Sequence, residues 1–91
     1  MSSPDKLRRD ADRGARAAAL LENELLKESF EKIEAGIIEV WRNDSDSEDV
    51  QRREDAWRSL KLLDALKQSL KHVVTTGEFS AKELLTTQKG D

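Results

Sequence analysis

At 91 residues, with 38% charged and 4% aromatic side chains and a net charge of −3, the chain has room for one domain with a lean aliphatic core. That balance suits an exposed helical assembly better than a compact enzyme with a deep pocket, because cores of this size rarely supply more than about 3–5 kcal/mol. The absence of cysteine excludes a disulfide, a Cys-ligated zinc and a thiol nucleophile.

No apolar run approaches the roughly 18–20 residues that span a bilayer, and the start of the chain carries no apolar leader core, so the chain is expected to be intracellular at synthesis. Charge is unevenly placed. Residues 1–19 hold five basic side chains (Lys6, Arg8, Arg9, Arg13, Arg16) against three acidic ones (Asp5, Asp10, Asp12), and the remainder is acidic overall. Interleaved charges of this kind normally form a solvated, self-paired helix face. The sharper reading is an arm that touches nucleic-acid phosphates through Arg8, Arg9, Arg13 and Arg16.

Ser3-Pro4-Asp5 is a helix start: Ser caps, Pro fits the first helical position and Asp suits the positive end of the dipole. The stretch that follows is helix-permissive, but its apolar positions are mostly alanine and Gly14 interrupts it. Residues 1–14 therefore read as a polar arm with no partner in its own chain. From about Ala15 to Arg42 the pattern is decisive. Leu26, Phe30, Ile33, Ile37 and Val40 recur at steps of four and three, and Leu21, Leu25 and Trp41 widen the stripe into the seam of an amphipathic helix. Gly36, beside Ala35, offers a small-residue window where another helix could cross closely.

Asn43-Asp44-Ser45-Asp46-Ser47 is a turn cluster, and Ser45 to Glu48 matches a capping box. A second amphipathic helix is expected from about Glu48 to Thr75, with Ala56, Leu60, Leu63, Leu66, Leu70 and Val73 on one side and Trp57, Leu62 and Val74 flanking it. Gly77 is then the left-handed residue that ends it. Ser80-Ala81-Lys82-Glu83 is a further capping box, with Phe79 and Leu84 as its hydrophobic staple, so a short helix is expected over residues 81–86 before a disordered end. Pairing the two long helices antiparallel about Ser45 sets Ile33 near Trp57, Phe30 near Leu60 and Leu26 near Leu63 or Asp64.

The fold class is all-α: an antiparallel two-helix hairpin over residues 15–77 with a short capped helix and tail over residues 78–91. Two helices leave an apolar stripe partly open, so oligomerisation or docking on a partner completes the core. Catalytic chemistry finds little support. His72, the single histidine, reads as a boundary residue near a helix C-terminus, and Ser69 stands where a di-metal Glu-x-x-His pair needs glutamate. Asp64, the acid closest to the seam, reads as exposed or as a rim ion-pair partner. No Gly-rich phosphate loop and no catalytic triad can be assembled, so no metal, cofactor or enzyme activity is expected. Trp41 and Trp57 read either as core packing or as a protein-binding hot spot.

The run Ala19-Leu20-Leu21-Glu22-Asn23 with Leu25, Phe30 and Glu31, then Trp41-Arg42-Asn43, Arg53 with Trp57, Leu60-x-x-Leu63-Asp64-x-Leu66, and His72 with Val74-Thr75-Thr76-Gly77, resembles small helical-hairpin proteins encoded among the virion and assembly genes of tailed bacteriophages and prophages. The resemblance covers about Ala18 to Gly77 and carries no catalytic residues. It implies a structural or assembly role near the portal, tail or capsid interior, in the virion and, during assembly, in the host cytoplasm. The implied partners are the chain itself and other phage structural proteins. The expected protein interface comprises Leu21, Leu25, Phe30, Ile37, Trp41, Trp57, Leu62, Leu66, Phe79 and Leu84. A small nucleic-acid-binding or host-directed regulatory protein, using the four arginines, is the alternative.

Overall fold

The computed structural model describes residues 3–43 and 50–89, which form three helices and no strand: α1 (Pro4–Glu22), α2 (Glu24–Asn43) and α3 (Val50–Lys89). The turn around Asp44 and the capping box from Ser45 to Glu48 lie outside the described residues. The helix start at Ser3-Pro4-Asp5 is as expected. The Ser3 hydroxyl oxygen accepts a hydrogen bond from the Lys6 amide at 3.2 Å, and Pro4 opens α1.

The elements depart from the expected boundaries in three places. The polar arm is not separate: α1 is one helix from Pro4, and Leu7 is buried. What was expected to be one helix from about Ala15 to Arg42 is broken at Asn23, which takes an extended backbone (φ −66°, ψ 122°) and donates its N–H to the Leu20 carbonyl at 3.1 Å. Asparagine competes with helix through its own side chain and is comfortable at such a junction. The third departure is the largest. α3 runs through Thr75, Thr76, Gly77 and Ser80 without interruption, so Gly77 is not a C-terminal stop, residues 81–86 are not a separate helix, and Gln88 and Lys89 are helical rather than disordered. Thr75 tolerates the helix because its hydroxyl donates to the Lys71 carbonyl one turn back, at 3.1 Å. His72 is therefore mid-helix, not near a helix end.

The chain divides into two compact units, and α3 contributes one half to each. In the unit made of Met1–Asn23 and Gln68–Asp91, the reason for the uninterrupted helix is visible. Gly14 and Gly77 face each other. A methyl group on Gly14 would lie 2.7 Å from Gly77 Cα and 3.1 Å from the Val73 carbonyl oxygen, and one on Gly77 would lie 2.6 Å from Gly14 Cα and 2.9 Å from the Asp10 carbonyl oxygen. Any side chain at either position would strike backbone. The hydrogens that replace those methyls point at carbonyls of the opposite helix, the arrangement of weak Cα–H···O contacts between closely approaching helices. Buried Ala17 and Ser80, the latter 3% exposed, continue the small-residue contact. The expected capping box at Ser80 is thus a seam position, and its staple partner Phe79 is 64% exposed instead of packed on Leu84.

In the unit Glu24–Lys67, Leu26, Phe30, Glu34 and Ile37 of α2 are half-buried, as are Leu60, Leu63 and Lys67 of α3, with Ala56 buried. The spacing Ala56, Leu60, Leu63, Lys67, Leu70, Val74, Gly77 alternates steps of four and three, the period of a helix that keeps one seam toward its neighbours. The Phe30 ring lies 5.4 Å from the Lys67 ammonium, which also pairs with Glu34 at 3.4 Å. At the other end Arg53 lies 5.7 Å over the Trp41 ring.

Candidate protein-binding surfaces

Each unit leaves many of its large apolar side chains outside. Among the described residues the buried apolar set is Leu7, Ala17 and Ala56, whereas Leu25 (73% exposed), Leu62 (72%), Trp57 (53%), Ile33 and Leu66 face solvent. Burying one such leucine is worth about 1.5–3 kcal/mol, so leaving several exposed is a substantial forfeited stabilisation. Of the residues expected at a protein interface, Leu25, Trp41, Trp57, Leu62, Leu66 and Phe79 are exposed, and Leu21, Phe30, Ile37 and Leu84 are half-buried.

The tryptophans do not fill a core. Trp41 and Trp57, with Val50, Arg53 and Glu54, line an open cleft of about 390 Å³. Each indole carries a cation on its face, Arg53 on Trp41 at 5.7 Å and Lys61 on Trp57 at 4.2 Å. Cation–π stacking holds a large flat side chain in place before a partner arrives. Rigid aromatic rings beside an arginine are what interface hot spots are made of. Lys61, Val50 and Glu54 were not singled out from the sequence. The four-residue spacing of Arg53, Trp57 and Lys61 was the available signal, since it puts all three on one helix face.

Two of the five basic residues of α1 are paired within the helix. Arg8 contacts Asp5 at 3.3 Å and Arg16 contacts Asp12 at 3.1 Å, so two of the four arginines expected to meet phosphate are already opposite carboxylates. Arg13 lines a small cleft of about 210 Å³ with Asp10, His72, Val73 and Thr76, which sets the histidine beside one acid and one base. Asp64 is exposed, as expected. Among the described residues no cluster of three or more His, Cys, Asp or Glu side chains converges as a metal site, and no helix is long and apolar enough to cross a membrane. No protein-family model, curated protein or solved structure matches the chain.

Proposed function

We propose that the chain is a non-enzymatic assembly protein that works through helix-mediated protein–protein contacts, with itself and with other structural proteins of a tailed-phage particle. The observation that carries the reading is the number of large apolar side chains left outside: Leu25, Ile33, Trp41, Trp57, Leu62 and Leu66 face outward. The contacts of α2 with α3 support an antiparallel hairpin, because Trp41 meets Arg53 whereas Phe30, earlier in α2, meets Lys67, later in α3. The resemblance drawn from Leu21, Trp41, Trp57, Leu63 and their neighbours supports the phage setting, and with it a location in the virion and in the host cytoplasm during assembly. The Arg8–Asp5 and Arg16–Asp12 pairs weigh against the nucleic-acid reading.

Mass spectrometry of purified particles and assembly intermediates tests this function. The chain is expected in one of them at stoichiometric level, and its absence from both would refute the phage assignment. Replacing Trp41 and Trp57 together by alanine is expected to reduce incorporation at least tenfold, since hot-spot tryptophans cost about 2 kcal/mol or more each on truncation. The variant's helix content, read by circular dichroism, should stay within a few per cent of the original because both rings are half exposed.

A further inference from the structure

Ile33, Gly36 and Val40 are spaced by three and four residues, so they form one stripe of α2, and Ile33 is 52% and Val40 41% exposed. A methyl group on Gly36 would meet nothing within 4 Å, unlike one on Gly14 or Gly77, which sit against each other's backbone. The one glycine on this stripe therefore holds open a space that nothing in its own chain occupies.

We infer that a second copy of this chain occupies that face, its α2 crossing antiparallel over the first at Gly36 about a two-fold axis. This rests on the hairpin and self-assembly reading above and names the contact. The charges choose the direction. Lys32 and Glu39 are seven residues apart, so they lie on the same flank of the stripe, four residues before and three after Gly36. In an antiparallel crossing, same-side flanks of the two helices adjoin, and a position before the axis meets one after it. Lys32 of each copy then comes beside Glu39 of the other, and Ile33 meets Val40. A parallel two-fold crossing brings opposite flanks together instead, so Lys32 and Glu39 of one copy no longer face those of the other and this complementarity is lost. Lys32 already pairs with Glu28 of its own helix at 2.8 Å, so its ammonium is held on that flank.

Interpolating between the Trp41–Arg53 and Phe30–Lys67 contacts puts Ser59 and Leu60 level with Gly36 on the neighbouring helix. Helical phase places Leu62 on the same side of the α2–α3 pair as Ile33 and Val40. The same two-fold operation therefore lays this face of α3 over its counterpart in the second copy and covers Leu62, which is 72% exposed. The product is a closed four-helix arrangement, the isologous form that two-fold symmetry requires.

Analytical ultracentrifugation of the whole chain tests this at about 100 μM, where a micromolar association is populated. The original chain is expected to sediment as a dimer. Gly36→Leu should sediment as a monomer with undiminished helicity, because leucine favours helix over glycine and its side chain enters open space in the single chain. Lys32→Glu and Glu39→Lys should each weaken dimerisation roughly tenfold through two like-charge contacts, and the double exchange should recover most of the loss. A monomeric original chain would overturn the inference and assign the face to a different protein. An undiminished Gly36→Leu dimer would overturn it too, as would a double exchange no better than either single one. A chain that is monomeric yet still incorporated into particles would remove the second copy alone and leave the proposed function standing.

Discussion

Gly77→Leu is expected to release α1 from the second half of α3. The side chain has nowhere to go: its first carbon alone would fall 2.6 Å from Gly14 Cα and 2.9 Å from the Asp10 carbonyl. Both are backbone atoms of a regular helix, so relief comes only from moving α1 bodily outward. Two effects oppose each other. Leucine is better than glycine in a helix interior by nearly 1 kcal/mol, which stabilises α3 by itself. Against that stands the contact between the helices, which includes the burial of Leu7, worth about 1.5–3 kcal/mol, and the packing around Ala17, Val73 and Ser80. The second effect is larger. We expect the loss of about 2–4 kcal/mol of local stability in this unit. Native-state hydrogen exchange is the readout: the amides of α1 from about Leu7 to Leu20 should lose ten- to a thousandfold in protection. Retained protection there would mean that the glycine pair is not what closes the unit. Gly77→Ala should act in the same direction and more weakly, since one methyl needs a smaller displacement.

The second large effect separates two adjacent leucines. Leu63→Asp is expected to cost about 2–3 kcal/mol, because Leu63 lies in the half-buried seam between Leu60 and Lys67 and an aspartate there loses both the apolar contact and part of its hydration. Leu62→Asp, one position away and 72% exposed, should leave the stability of the single chain within about 1 kcal/mol, the helix-propensity difference included. Its effect falls on association, since it places a carboxylate on the apolar face that the second copy is inferred to cover. Urea titration at low concentration reads the first effect and sedimentation the second. Equal losses of stability for the two variants would mean that the face assignments are wrong.

Much of this was legible in the sequence. Of the apolar stripes expected from periodicity, Leu26, Phe30, Ile37, Leu60 and Leu63 are half-buried, whereas Ile33, Val40 and Leu66 are exposed; the start of α1 followed from Ser3-Pro4-Asp5. What misled was chemistry shared by two different structures. A glycine that ends a helix and a glycine that lets two helices touch are the same residue. Only the opposite partner, Gly14, distinguishes them, and it lies 63 positions away in the chain. Ser80 behaves in the same way, since a small polar residue suits both a cap and a tight seam. The break at Asn23 was hidden because the apolar pattern continues across it, and asparagine is a weak enough breaker to pass inside a helix. The tryptophan cleft was half legible. Both rings were noticed, but the cations that hold them lie on a face defined by the three-dimensional course of α3.

The larger apolar side chains of this chain are exposed, and we propose that another surface covers them. The direct measurement is the thermal midpoint as a function of protein concentration. Over a hundredfold range, from about 2 to 200 μM, we expect the midpoint to rise by roughly 5–10 °C, because association and folding are then one equilibrium. A sharp transition at the same temperature throughout, from a species with the mass of one chain, would contradict the account.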